Sequence, residues 1–253
     1  TFKLVRSRKS STSLKRSFSS MPRRIKPAIS RLAARPKAIA RAAPDGYTIG
    51  MGIITSQAAN PFLYPKLSYD VEKDFTPITL IAVSPLFLIV HPSVPAKNLQ
   101  EFLAYAKGNP GKLSFATTGY GSSFHLATEM LMQRTGIQMV HVPYKGMGSA
   151  VADLLSGNVH LAIDVSTLAQ VRQGKLRALG VVDKARFDGA PEIPSFAEQG
   201  LPDFAFYTWL TLHAPAGLPP ELRQRINADV NKVLAMPEVR ELGPDDAPSI
   251  LLD

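Results

Sequence analysis

The chain has 253 residues, 45% of them hydrophobic, enough for one large domain or two smaller ones with real cores. It contains no cysteine, which excludes disulfides and thiolate metal sites, and its longest apolar region, residues 78–90, is broken by Thr79, Ser84 and Pro85 well short of the roughly 18–20 residues of a membrane span. The formal charge of +9 sits at one end: residues 1–41 hold 13 Lys or Arg and no Asp or Glu, which leaves 16 basic against 20 acidic residues, a net of −4, over 42–253. Whole-chain charge therefore gives no case for a nucleic-acid partner.

Residues 1–41 are rich in Ser, Arg and Lys, with no sustained periodicity before Ile29–Ala40. Three readings compete for this atypical basic segment: a disordered tail, an acid-poor transit peptide, or a stretch that is not the authentic start of the protein. A secretory signal is not visible, because no apolar region of roughly 7–15 residues follows the charges. From Ala42 the texture changes. Pro44-Asp45-Gly46 is a turn signature, Tyr47–Thr55 reads as a strand, and Asn60–Asp74 as a loop. Two apolar strands follow, Ile78–Val83 and Leu86–His91. Asn98 then caps a helix over Leu99–Lys107, which the run Gly108-Asn109-Pro110-Gly111 stops.

Leu113–Ala116 is short, apolar and aromatic, a strand. Thr117–Gly121 breaks it with two glycines, and Ser122 or Ser123 is a good N-cap for a helix that repeats Phe124, Ala127, Met130 and Leu131. Strand, small-residue loop and helix start together make an anion site, because first-turn N–H groups lack partners and the dipole leaves positive charge there. The hydroxyls of Thr117, Thr118, Ser122 and Ser123 would add donors. The competing reading is an ordinary strand-to-helix turn with capping serines.

The alternation continues with a strand over Met139–Tyr144, a loop over Lys145–Gly148, a helix over Ser149–Ser156, and a strand over Val159–Val165. A short helix Thr167–Arg172, a strand Leu176–Val182, a short helical piece Ser195–Gln199, an aromatic strand Phe204–Ala214 and a helix Glu221–Ala235 complete it. Strands alternating with helices argue for an α/β fold with mostly parallel sheet.

Ser122, Ser123, His125 and Asp164 raise the remote alternative of a serine hydrolase, but no Gly-x-Ser-x-Gly elbow is present, and Ser123 and His125 lie on different helix faces. The five histidines show no paired metal-ligand spacing, so neither metal nor cofactor is expected. Tyr144-Lys145 follows a strand, and strand ends are where open α/β sheets gather ligand groups. Asp164 holds an equivalent place and reads either as a capping aspartate or as a ligand contact. Trp209, the only tryptophan, either lines a cleft or fills a core.

From about Ala42 to Glu241 the chain resembles one family, the periplasmic substrate-binding receptors of tripartite tricarboxylate transporters, also called Bug-type solute-binding proteins. The matching pieces run in order: Ala43-Pro44-Asp45-Gly46-Tyr47-Thr48, Asp74-Phe75-Thr76-Pro77-Ile78, Thr118-Gly119-Tyr120-Gly121-Ser122-Ser123-Phe124-His125-Leu126, Val142-Pro143-Tyr144-Lys145-Gly146, Gly174-Lys175-Leu176-Arg177-Ala178-Leu179-Gly180 and Ala214-Pro215-Ala216-Gly217. The resemblance implies a two-lobed periplasmic binding protein of the type II-like, Venus-flytrap kind, closing on a small carboxylate. The first lobe would take residues 42–90 and 215–253, and the second 91–214. It implies a monomer that captures a di- or tricarboxylate, hands it to membrane permease subunits and catalyses nothing. The implied ligand-binding set is Thr117, Thr118, Gly119, Tyr120, Gly121, Ser122, Ser123, His125, Tyr144, Lys145 and Asp164, with Asp164 near the ligand's far end.

Two departures from the family pattern bear on this expectation. Residues 1–41 lack the strand and Pro/Gly-rich loop that supply half of the family's carboxylate site, and the family texture fades after about Leu242. A frameshift would produce such joins. The first lobe is then expected to be incomplete, and the runner-up function is a truncated, non-transporting member acting as a sensor or as a relic.

Overall fold

The structure, a computed structural model, describes residues 36–240. The readings of residues 1–35 and of the tail after Arg240, including the frameshift and the incomplete first lobe, lie outside the described residues. Those described fall into two units: one runs up to Val83 and resumes at Trp209, and the other is Ser84–Thr208.

The first unit opens with α1, Pro36–Ala40, whose Ile39 is buried. The basic segment is thus not without structure at its end. Gly50 lies so close to Ile39 that no Cβ fits there. Asp45 Oδ1 accepts from Tyr47 N at 3.0 Å and closes the expected turn. Strand β1, Gly50–Ile53, stops earlier than Thr55 because Ser56 Oγ accepts from Ile53 N and donates to Ile53 O, both at 3.1 Å. The chain folds there into a π-helical turn, Thr55–Ala59, and a short helix α2, Asn60–Leu63, where the sequence reads as a loop. Strand β2, Phe75–Pro85, extends the expected strand Ile78–Val83 at both ends. With β8, Tyr207–Pro215, these strands form a sheet in the order β1-β8-β2, with β1 antiparallel to β8. Helix α7, Pro220–Leu234, adds Ile226 to a core with Ile49, Ile78, Leu212 and Ala214, and α8, Pro237–Arg240, follows it.

The second unit is built on β3 (Phe87–Val90), β4 (Ser114–Thr117), β5 (Val140–Pro143), β6 (Leu161–Asp164) and β7 (Arg177–Val181), in the order β5-β4-β6-β3-β7. Four helices accompany them: α3 (Leu99–Gly108), α4 (Ser123–Thr135), α5 (Met147–Ser156) and α6 (Leu168–Arg172). Every residue of β3 is fully buried, as an apolar run covered on both faces should be. Asn98 caps α3 by accepting from Glu101 N at 2.8 Å. Helix α5 begins two residues before Ser149, because Met147 is buried and becomes its first residue.

Three expectations differ from what the structure holds. The sheet is mixed: β4 is parallel to β5 and β6, but β3 is antiparallel to both β6 and β7. Residues 195–199 form turns rather than a helix. Glu198 Oε2 accepts from Ser195 N and Ser195 Oγ accepts from Glu198 N, a capping box with no helix behind it. Finally, β3 belongs to the larger sheet although residues 42–90 are expected in the first lobe, and Trp209–Ala214 belongs to the small one. No helix among the described residues is long and apolar enough to cross a membrane.

Candidate functional site

Parallel pairing of β5, β4 and β6 puts their carboxyl ends on one edge of the larger sheet. The register sets Thr117 against Pro143 and Ala116 against Ala162, so the loops starting at Thr118, Tyr144 and Val165 leave from that edge together. The antiparallel β3 brings its first residue to the same place, with Phe87 opposite Asp164. Such edges are where open α/β sheets bind ligands.

The Thr118–Ser122 loop has the conformation its glycines permit, with φ of 115° at Gly119 and 73° at Gly121. A Cβ on Gly119 would meet nothing within 4 Å, so the backbone angle alone demands glycine. Ser122, not Ser123, is the N-cap of α4, its Oγ accepting from His125 N at 3.2 Å. The first-turn N–H groups of Ser123 and Phe124 have no acceptor within the helix and lie at its positive end. Thr118 is half-buried and Ser123 buried, whereas Tyr120 is 73% exposed. Fully buried Thr117 is committed to the loop itself: its Oγ1 accepts from Gly119 N at 3.1 Å and is hydrogen-bonded to His141 Nε2 at 2.6 Å. The Thr117 hydroxyl is thus taken up by the loop and by His141, whereas the Ser122 hydroxyl accepts from the helix and keeps its own proton to donate.

Beneath the loop lies an imidazole and aromatic cluster. His125 and His141 have ring centroids 4.3 Å apart, Phe115 stacks on His141 at 5.0 Å, and Tyr120 meets His141 edge-on at 4.6 Å. Desolvation, followed by the nearby His125, holds the His141 imidazole below its ordinary pKa. His125 turns Nδ1 to the Gly121 N–H and Nε2 toward Glu129, so neither nitrogen is paired with a serine hydroxyl. That is no arrangement for a serine nucleophile. His141 is the participant that sequence reasoning left out of the site. Its signal was its place on the strand beside Phe115, visible only once β4 and β5 are paired.

The other expected residues divide. Tyr144 N donates to Thr117 O at 2.9 Å and ties the two loops together, but its hydroxyl donates to Asp153 Oδ2 at 2.8 Å on α5. Burial, then the hydrogen bond and charge of Asp153, push the Tyr144 phenol up to about 12. Lys145 is exposed beside it. Asp164 is fully buried at the end of β6, where Oδ2 accepts from Ser166 Oγ at 2.8 Å and Thr167 N at 3.0 Å. Among the described residues its Oδ1 and the buried Thr167 Oγ1 have no partner. Burial raises the Asp164 pKa, and the hydrogen bonds from Ser166, the Val165 backbone and Thr167 counter part of that shift. Among the described residues no group of three or more His, Asp or Glu is arranged to hold a metal ion. The edge thus combines unpaired N–H donors, hydroxyls and a buried carboxyl, which suits recognition of a small polar anion.

Comparison with known proteins agrees with this description. The family model for the tripartite tricarboxylate transporter family receptor matches residues 28–247, reaching into the segment that reads as atypical. A protein of Pseudomonas sp. strain P51, the UPF0065 protein in the tcbD-tcbE intergenic region, is 38% identical over 225 residues, which is 85% of this chain and 67% of the relative. Against the structure of Rpa4515 of R. palustris with adipate the TM-score is 0.77 at 31% identity, covering 85% of this chain and 72% of that one. Against MatC (Rpa3494) of Rhodopseudomonas palustris with bound malate it is 0.75 at 32% identity, covering 85% and 74%. The chain spans about two thirds of the length of the curated relatives it matches. The fold is that of periplasmic binding proteins, and the family consists of substrate-binding receptors, not enzymes. With its family match covering most of the chain and its two α/β units, the protein belongs to the tripartite tricarboxylate transporter receptor family.

Proposed function

We propose that this chain is an extracytoplasmic receptor, placed in a bacterial periplasm, that captures a small di- or tricarboxylate and delivers it, as a monomer, to the membrane permease subunits of a tripartite transporter. The observation that carries this reading is the Thr118–Ser122 loop at the carboxyl end of β4. Its turn at Gly119 and Gly121 leads into a 13-residue helix whose first N–H groups have no partner within the helix. A carboxylate there accepts from the N–H groups of Ser123 and Phe124, with Thr118 and Ser123 as hydroxyl donors and Tyr120 as an exposed aromatic wall. Lys145 and Asp164, on the flanking strand ends, would meet the rest of the ligand. Adipate and malate in the related structures make linear dicarboxylates the first ligands to try.

The test is thermal melting of the purified chain with mono-, di- and tricarboxylates and neutral controls. A ligand at 100 times its Kd adds about 2.7 kcal/mol to stability and raises the midpoint. A cooperative melt that no carboxylate moves counts against the reading.

A further inference from the structure

The loop's contacts with His125 carry a step beyond this reading, and one that rests on it. Gly121 N donates to His125 Nδ1 at 3.3 Å, so that nitrogen presents a lone pair to the loop. The proton of the neutral ring then sits on Nε2, which lies 3.5 Å from Glu129 Oε1. Three titratable side chains face the ring among the described residues: Glu129 on its own helix, His141 from β5 at 4.3 Å between centroids, and Tyr120 from the loop at 5.4 Å. Phe115 of β4 lies alongside at 6.4 Å.

We propose that neutral His125 is the positioning residue of the anion loop: its Nδ1 lone pair draws the Gly121 N–H inward and leaves the Ser123 and Phe124 N–H groups for the carboxylate. With the proton on Nδ1 instead, Nδ1–H would confront Gly121 N–H, two donors with no acceptor between them, and the turn would have to move. The neighbouring His141 leaves no room for relief, because its ring is already pressed against His125 and hydrogen-bonded to Thr117.

Two substitutions separate positioning from packing. His125→Asn keeps an acceptor near the Nδ1 position and does not titrate, whereas His125→Gln places its polar group toward Nε2 and leaves the Gly121 N–H unpaired. The first measurement needs no ligand: NMR of the ring nitrogens and of the Gly121 amide in the full chain. Nδ1 is expected to be unprotonated in the neutral ring, with the Gly121 amide coupled to it across the hydrogen bond. A neutral ring protonated on Nδ1, or an amide with no such coupling, overturns the proposal. The second is calorimetry with adipate and malate at neutral pH. Affinity is expected to be kept in His125→Asn and to be about tenfold weaker in His125→Gln. Affinity that is equal in the two variants overturns it. If neither dicarboxylate binds the parent, the receptor reading fails for those ligands, and the ligand-free NMR still decides the role of His125.

Discussion

Tyr144 at the end of β5 and Asp153 on α5 are joined by a 2.8 Å hydrogen bond that pins the loop between them to its own helix. Asp153 is further held by Asn158, which donates to its Oδ1 at 3.2 Å. Because the phenol is the donor, the bond exists only while Tyr144 is protonated. Its folded pKa is raised, so the stability it contributes is full below the ordinary tyrosine value and is lost as pH rises through about 12. Tyr144→Phe is expected to cost about 1 kcal/mol in urea unfolding at neutral pH. An absorbance titration should find one tyrosine ionising late in the parent and moving down in Asp153→Asn. A parent in which all tyrosines ionise together would contradict the pairing.

Asp164 poses the reverse problem, a fully buried carboxyl with one oxygen satisfied and one that has no partner among the described residues. Its raised folded pKa means that the stability tied to its neutral form is complete below the unfolded value and is lost as pH rises through the folded one. Asparagine keeps an acceptor for Ser166 and Thr167 and never ionises. Asp164→Asn is therefore expected to melt at or above the parent at neutral pH, with the gap closing in acid. Each 1 kcal/mol should appear as roughly 2–4 °C. Melting curves across pH check it, and a gap that widens toward acid would be the wrong sign.

The parts of the site that sequence revealed are those written in consecutive residues. The Thr118–Ser122 loop is legible because two glycines and a capping serine between a strand and a helix have few other uses. What it hid depends on pairing between distant segments. Nothing in His125 and His141, 16 positions apart, says that their rings touch, since that follows from the parallel register of Phe115 against His141. For the same reason Thr117 read as a free donor although His141 and Gly119 use its hydroxyl. The direction of β3 was equally invisible, because an apolar run such as Phe87–Val90 suits either sense when both faces are covered.

Gln199 is a buried polar residue that no sequence pattern marks out. Its Oε1 accepts from Leu99 N at 2.8 Å at the start of α3, and its Nε2 donates to Leu179 O at 2.9 Å on β7. Gly180 makes room for it, since a Cβ there would come within 2.7 Å of Gln199 Nε2 and 2.9 Å of the Phe196 ring. Gln199→Leu fills similar volume but leaves a helix N–H and a strand carbonyl unpaired. The expected loss is about 2–4 kcal/mol, read as a lower urea midpoint. Gly180→Ala, which crowds the amide instead, should also destabilise, by about 1–3 kcal/mol. If Gln199→Leu were neutral, the amide would not be the link between α3 and β7.

Gly119 separates the cost of shaping the loop from the cost of filling it. Its φ of 115° is one that residues with a Cβ avoid, yet a methyl there would meet no atom within 4 Å. Gly119→Ala can therefore act only through the backbone, which must either hold the strained angle, at about 1–3 kcal/mol, or relax to another. If it holds, the melting midpoint falls by several degrees and carboxylate affinity is kept, because the Ser122 cap and the Thr117 bond to Gly119 N remain. If it relaxes, stability is largely recovered but the Ser122 N to Gly119 O bond at 3.2 Å is lost, and the donors of Ser123 and Phe124 lose their frame. The two costs should trade against each other, so we expect Gly119→Ala to lose stability, affinity or part of each. Melting and calorimetry with adipate, on the same preparation, measure both. A variant unchanged in both would mean that the loop's left-handed turn has no part in holding the ligand.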